Sequence, residues 1–531
     1  MTSTASDPIA SFWSTFELES GDLEFIYNLL LDREAPLTTA EMALPLIERR
    51  LERLRREAEA SPQLQELVYQ PAEAYQAGQQ LVFPALGRRA GKVVSVRAGV
   101  NPDLGSFDVL IVEFAENGEQ REFAARLADH ALNRVSLPEE AAETLDSPQA
   151  VWAAFGPEIE ARIGRRLAEQ KDIVRIAGRW FPRALLAEIN VGHLNLAEAV
   201  LDVAAGGPLP TTSLLEHVEL PASIDPLLAE FSLDYALQED ERFDEVGPAG
   251  LVLWYLRRLE PPDVLFPPAR LACAEPEVDR SLLTEELLRL ERELDDEFSP
   301  LEPRRSQDGE VVLSLLFPHW RTGTLPLASR LRPLFPTAYE APRIRFILVA
   351  GHTGDRFPGW VVRKERYVSG LEDWYHRYNI PPGGLIKVRS GEQPGEVVVE
   401  VADRRNRHDW VRTVAIAADN QIGFTMLKQP MGAAYDDRMV VGVPDAEALD
   451  QAWAKGDQRK ASLERLVLHV SRELAKLNPQ SAVHAQALYS GVNVLRRVPP
   501  APVFVELVTR PHYAHVGDNY FRLHESQGGD G

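Results

Sequence analysis

Between Asn195 and Pro261 the apolar positions change rhythm. Leu196, Ala199, Val200 and Val203 recur at helical spacing, and Gly206-Gly207-Pro208 closes that helix, because Gly accepts a left-handed C-cap and Pro cannot continue the turn. Thr211 or Thr212 caps a second predicted helix through Leu214 and Val218, and Phe231 to Leu237 reads as a third, amphipathic one. The pattern then becomes strand-like: Phe243, Val246, a Gly247-Pro248 turn with Gly250, and Leu251 to Leu256, closed by Pro261-Pro262. Three helices and a hairpin predict a winged helix over residues 191–262.

The same syntax returns at the C-terminus. His484 to Val494 is a predicted helix, Pro499 to Pro502 a turn, and Val503 to Leu507 a second helix. RFDEVGPAGLVLWYL (Arg242 to Leu256) aligns with HYAHVGDNYFRL (His512 to Leu523): an aromatic residue lies three before a Val-Gly pair, and an aromatic-x-Leu ending follows it. A partial third copy opens the chain. Asp22 to Leu31 is apolar on one helical face, APLTTAE (Ala35 to Glu41) echoes PLPTTSL (Pro208 to Leu214), and a long helix follows to about Ala60, with no hairpin evident after it. A repeated unit is better evidence than one match, since each copy solves the same burial problem independently. At these residues the sequence resembles the HARE helix-turn-helix family, winged-helix modules of the bacterial RNA polymerase delta subunit, chromatin proteins and restriction systems. The resemblance covers about a quarter of the chain. It implies a winged-helix fold and an association with DNA or the transcription machinery.

Elsewhere the period varies. Residues 67–126 alternate with period two, with strands at about Gln80 to Phe83, Gly91 to Arg97, Phe107 to Phe114 and Glu119 to Phe123, as in a small SH3-like barrel. The segment GRRAGKVV looks similar to the first hairpin of KOW-type barrels. Residues 127–190 read as a helical connector broken near Ser147-Pro148 and Gly156-Pro157, ending in IVRIAGRWFPRALL, whose Trp180 and Phe181 are predicted core. Residues 263–310 form an acidic helical linker with a stripe of Leu282, Leu283, Leu287, Leu290 and Leu294. Residues 311–445 are mostly β, 446–478 helical, and 479–531 hold the C-terminal copy; 1–66 hold the N-terminal one. The expected fold class is therefore α+β and multidomain: repeated winged-helix modules, a small SH3-like barrel and a larger β-rich domain.

Composition narrows the picture. A single cysteine, Cys273, forms no internal disulfide and points to a reducing, cytoplasmic compartment. No leader is read at Met1 to Ala10, and no apolar run nears the roughly 20 residues that span a bilayer, so no membrane partner is expected. The net charge of −23 argues against nucleic acid binding over the whole surface. Arg321 to Asn420, however, holds 16 Lys and Arg against 11 Asp and Glu, a net of +5 that leaves −28 on the remainder.

Within that basic region Arg363, Lys364, Arg366, Arg404, Arg405 and Arg407, with Trp374 as a stacking ring, are the candidate nucleic-acid-binding residues. Trp360, Tyr367, Tyr375 and Tyr378 lie beside them. Neutralisation of these cations by Glu365, Asp403 and Asp409, or their scatter over opposite faces, would favour a protein scaffold instead. Catalytic signals are thin. Asp103, Asp108 and Glu113 mimic the carboxylates of a PD-(D/E)xK nuclease, but Phe114 and Ala115 follow where that motif needs a lysine two residues on. His512, His515, Asp518 and His524 read as surface strand residues rather than metal ligands. No phosphate loop, GxSxG elbow or dinucleotide fingerprint occurs, and no cofactor is expected. The expectation is a non-enzymatic adaptor that contacts DNA or RNA through the basic β domain. The alternatives are a protein scaffold, whose acidic winged helices bind protein partners, and an enzyme with an unrecognised site.

Overall fold

The computed structural model describes Trp13 and residues 16–60, 67–83, 86, 89–100, 106–114, 119–128, 130, 147–274, 277–305, 309–393, 395–457 and 460–524. The chain is mixed α and β, with several separate sheets, and it divides into two compact units. One comprises residues 1–175 and 179–186, the other residues 176–178 and 187–531.

In the first unit, helix Ser20–Arg33 leads through strand Leu37–Thr38 into helix Thr39–Ala60. Asp22 and Arg50 form a buried ion pair between the two helices. Helix Pro148–Ala168 packs on Thr39–Ala60, and the hairpin Ile173–Ile176 and Arg179–Pro182 closes the module. The second hairpin strand pairs antiparallel with Leu37–Thr38, setting Leu37 opposite Trp180. A hairpin thus completes the N-terminal copy, although none is evident in the sequence directly after its second helix. The intervening residues include a five-stranded sheet of Leu67–Val68, Gln80–Phe83, Arg89–Ala98, Asp108–Phe114 and Gln120–Ala125. Leu110, Val112 and Phe114 alternate into its core, and the Phe83 and Phe114 rings meet edge-on at 5.4 Å.

The expected break at Gly156-Pro157 does not occur. Helix Pro148–Ala168 runs through Pro157, capped by the Ser147 side chain, which accepts from Ala150 N. Its buried residues Val151, Ile159, Ile163 and Leu167 continue one stripe across the proline. Packing of that stripe outweighs a penalty of about 3 kcal/mol for an internal proline.

The second unit starts with helix Val191–Val203, strand Leu209–Pro210, helices Thr211–Leu215 and Pro226–Gln238, and strands Phe243–Glu245 and Leu253–Leu256. The left-handed residue that follows this helix is Ala205, with φ +55°, rather than the expected glycine. Gly207 has φ +107°, and a Cβ there would lie 2.6 Å from the Trp254 carbonyl oxygen, so glycine is required where the chain enters strand Leu209–Pro210. At the other end of the unit helix Leu463–Ala475, strand Ala482–His484, helices Ala485–Leu495 and Pro500–Thr509 and strands Tyr513–His515 and Tyr520–Leu523 repeat the order. Pro499 to Pro502, read as a turn, instead starts the last helix: Pro500 and Pro502 sit in the first turn, where no intrahelical N–H is required.

Three three-stranded sheets therefore share one topology, the short strand pairing with the second strand of the hairpin. Equivalent ladder positions pair Leu37 with Trp180, Leu209 with Trp254, and Val483 with Phe521, and all three aromatic residues are buried. Register also makes Val246 and Val516 equivalent: Val246 N donates to Leu253 O, and Val516 N to Tyr520 O.

Between these repeats lies a seven-stranded sheet in the order Glu310–Ser314, Leu385–Ser390, Glu396–Val401, Arg343–Ala350, Arg356–Val362, Tyr367–Ser369, Thr324–Pro326. Only Arg343–Ala350 and Glu396–Val401 pair in parallel. A long ribbon, Arg404–Ile416 with Ile422–Ala433, runs from this sheet to the C-terminal repeat, where Val414, Ile422 and Phe424 join the repeat's core. Helix Glu285–Leu294 buries Leu287 and Leu290 in that same core with Leu283, and Leu294 packs against it, so the leucine stripe is spent within the chain except at Leu282, which is exposed.

Candidate interaction surfaces

The six candidate cations form two groups. Arg363, Lys364 and Arg366 are exposed on the turn after strand Arg356–Val362, with Arg363 Nη1 donating to Ala341 O at 2.8 Å and Arg366 Nη1 to Glu297 O at 2.9 Å. Arg404, Arg405 and Arg407 begin the ribbon. The guanidinium of Arg404 lies 5.1 Å from the Tyr378 ring centre, and Tyr378 lies beside His352, just past the Ala350 end of the neighbouring strand. Arg343, at the opposite end of that strand, pairs with Val362, next to the first group. The two groups are thus separated by the length of the Arg343–Ala350 and Arg356–Val362 hairpin, about 23 Å at the usual rise per residue. Arg405 Nε is 3.2 Å from Asp403, and Arg407 Nε is 2.7 Å from Asp409.

The aromatic half of the expectation needs correction. Trp374 is only 4% exposed, and Trp360, Tyr367, Tyr375 and Tyr378 are buried with it. Helix Glu372–Arg377 turns its aromatic face into the sheet's core and leaves Glu372, Asp373, His376 and Arg377 to solvent. None of these rings offers a face for stacking on a base.

The middle repeat uses its hairpin to hold the seven-stranded sheet. Val246 is fully buried among Tyr255, Val264, Leu271, Trp360, Val362 and Tyr367, whereas its counterpart Val516 is 45% exposed. Arg345 N donates to Val246 O at 2.9 Å, and Ala249 N donates to Thr337 O at 2.6 Å. Arg343 pairs with Asp244 and also places Nε 3.0 Å from Glu260 Oε2, though without the alignment of a hydrogen bond. Burial holds the Glu260 carboxyl up at about 7, with Arg257 opposing. Arg343 was not singled out by sequence. Its signal is the alternation RIRFILVA, in which Arg343 and Arg345 share one face of an otherwise apolar strand.

In the C-terminal repeat the third helix is equally committed. Ala501, Val503, Phe504 and Leu507 are buried in a core shared with Leu287 and Leu290 of the linker helix. Nearby, Arg497 Nη2 lies 2.6 Å from Asp296 and 2.7 Å from Glu297, all three nearly inaccessible. His319 Nε2 is 3.1 Å from Glu297, its Nδ1 is 2.8 Å from Thr324 Oγ1, and Tyr489 donates to Asp296 at 2.5 Å. Burial raises the Asp296 carboxyl against the pull of Arg497. Burial would raise Glu297 too, but Arg497 and His319 outweigh it and hold that carboxyl far below its usual range. These partners satisfy one another, so the cluster ties linker, sheet and repeat together.

A similar polar latch sits inside the middle repeat. Trp254 Nε1 donates to Asp234 Oδ1 at 2.8 Å and to Thr211 Oγ1 at 3.2 Å, and Thr211 donates to the same carboxylate. Thr39 and Glu160 repeat the Thr-to-acid bond in the N-terminal module at 3.3 Å. Burial pushes the Asp234 carboxyl up to about 7, against those two hydrogen bonds.

A cleft of about 930 Å³ beside the sheet mixes signs: Arg321 is paired with Asp450, Arg356 with Glu396 and Arg377 with Asp355. Of the nuclease-like carboxylates, Asp103 lies outside the described residues, Asp108 faces Arg126 at 3.7 Å, and Glu113 accepts from Gln120 at 3.0 Å. Among the described residues no group of three His, Cys, Asp or Glu could hold a metal ion, including His512, His515, Asp518 and His524. Likewise among them, no helix is long and apolar enough to cross a membrane. Comparison with protein-family models, characterised proteins and solved structures finds no match.

Proposed function

We propose that the chain is a multidomain protein-interaction scaffold, in which the three repeated segments are winged helices and the sheet from Leu67 to Ala125 is an SH3-like barrel. The resemblance to HARE modules supports the first assignment, and the strand spacing supports the second. One observation carries the functional reading: where a DNA-binding helix-turn-helix protein places a recognition helix in the groove, the two C-terminal repeats use the third helix or the hairpin on protein. The middle hairpin is docked on the sheet through Val246, and the last repeat's third helix is docked on the linker helix.

Charge supports the choice of partner. Residues 191–262 hold 13 Asp and Glu against 3 Lys and Arg, with Glu216, Glu219, Glu239 and Glu241 exposed. Such a surface repels phosphate and attracts basic protein segments. The second reading, DNA or RNA held by the basic β domain, has in its favour the net of +5 between Arg321 and Asn420. The separation of its six cations and the Asp403 and Asp409 pairings place it behind. Crosslinking of the full chain in cell extract, with partners quantified by mass spectrometry, tests the scaffold. Reversal of Glu216, Glu219, Glu239 and Glu241 to Lys is expected to remove a basic subset of partners; an unchanged set would refute the reading.

A further inference from the structure

The ribbon carries one large aromatic side chain out into solvent. Trp410 is 65% exposed on the face that also carries Arg412 and, on the partner strand, Met426. Further along, this face enters the core through Val414, Phe424 and Ile422. At Trp410 the core has ended, and the face borders a cleft of about 450 Å³ whose far wall is the C-terminal repeat.

Arg412, Arg438 and His484 are among the residues that line that cleft, with Asp437 in the same wall. Arg412 is half-buried and fixed: its Nη2 donates to the carbonyl oxygens of Asp437, Arg438 and Val440 at 3.1, 2.6 and 3.2 Å. Burial pulls its guanidinium down to about 10, with Asp436 and Asp437 opposing, yet among the described residues no carboxylate reaches ion-pair distance. A half-buried guanidinium whose close contacts are carbonyl oxygens keeps N–H groups for an anion. Arg438 is exposed, with its guanidinium 6.0 Å from the Tyr520 ring centre. His484 accepts from Gln486 N through Nδ1 at 3.1 Å, so the neutral ring carries its proton on Nε2. Burial, followed by the Arg438 charge, lowers its pKa to about 4 and keeps the ring neutral near pH 7.

We propose that this cleft binds a nucleotide, with the base stacked on Trp410 and the phosphate held by Arg412 and Arg438. A phosphate uses two guanidinium groups better than a single carboxylate does, and an indole face accepts any base. The volume falls within the range of small-ligand sites. The inference goes beyond the scaffold reading and does not depend on it.

The test is calorimetric titration of the full chain with adenosine 5′-monophosphate, adenosine, inorganic phosphate and a 5′-phosphorylated oligothymidylate. The monophosphate is expected to bind saturably, and adenosine and phosphate at least about tenfold more weakly, since each makes only half of the contacts. Trp410→Ala and Arg438→Ala, both at exposed side chains, are each expected to weaken binding by about tenfold. Tighter binding of the oligonucleotide identifies a strand end as the source, and equal or weaker binding a free nucleotide. Lack of saturable binding by both nucleotides overturns the proposal. So does binding that neither substitution changes, or more effective competition by an acidic peptide than by the monophosphate.

Discussion

The backbone N–H of Arg345 donates to the carbonyl oxygen of Val246 at 2.9 Å, so the hairpin of the middle repeat is joined by its main chain to the seven-stranded sheet. Arg343, two residues earlier, pairs with Asp244, two residues before Val246. Main-chain and charge contacts thus fix the same docking geometry, and Trp360, Val362 and Tyr367 supply the apolar surface.

Equivalent valines should therefore respond differently. Val246→Asp buries a charge without a partner and is expected to lower the melting temperature by several degrees and expose the hairpin to proteolysis. Val516→Asp, at the same ladder position but exposed, is expected to stay within about 0.5 kcal/mol of wild type. Equal responses in denaturant unfolding would contradict the docking account.

Trp254 is 1% exposed and fills the core of the middle repeat. Trp254→Ala is expected to cost about 3 to 5 kcal/mol, from lost burial, a cavity and the loss of one of the two hydrogen bonds to Asp234. A fold-neutral variant in chemical denaturation would count against that packing.

Asp234 gives a pH signature. Its folded pKa of about 7 lies above the unfolded value of 3.8, so the protonated form favours folding. The associated stability is full below pH 3.8 and is lost as pH rises towards 7. Asp234→Asn keeps an acceptor for Trp254 and Thr211 and does not titrate. It is expected to gain roughly 2 to 4 kcal/mol over wild type near pH 7.5, a gain that shrinks towards pH 4. A difference that stays constant with pH would show that Asp234 is already ionised at acidic pH.

Arg497 is expected to be the most costly of the buried cations to remove. Arg497→Ala leaves Asp296 and Glu297 facing each other without the guanidinium between them, with His319 beside Glu297 alone, a loss of about 3 to 5 kcal/mol. Adding Glu297→Gln should return part of that loss, and strict additivity of the two substitutions in urea unfolding would show that the cluster is not coupled.

Much of the repeat architecture is legible in the residues because it rests on local rules. The Val-Gly syntax of the two C-terminal copies corresponds to one ladder register, with Val246 and Val516 in equivalent places. The hairpin of the N-terminal copy is not legible there, since more than a hundred residues separate it from Leu37 and Thr38. Trp374 misleads for a different reason: in GLEDWYHRYN its neighbours are charged, but a single helical turn points the rings inward and the charges outward. The Asp296–Arg497 pair spans 201 positions, and the pairings of Arg405 and Arg407 depend on where ribbon side chains point. Spacing carries no trace of either.

The scaffold account is tested most directly by fluorescence anisotropy of the full chain with a labelled DNA duplex of about 20 base pairs, titrated between 50 and 200 mM salt. Two cation groups about 23 Å apart, one of them partly neutralised, predict weak binding and a log–log salt slope no steeper than about −2. Charge reversal of Arg404, Arg405 and Arg407, or of Arg363, Lys364 and Arg366, should leave that slope unchanged. Tight binding with a slope of about −5 or steeper, flattened by roughly one unit for each reversed cation, would contradict the account and establish the basic β domain as a nucleic-acid surface.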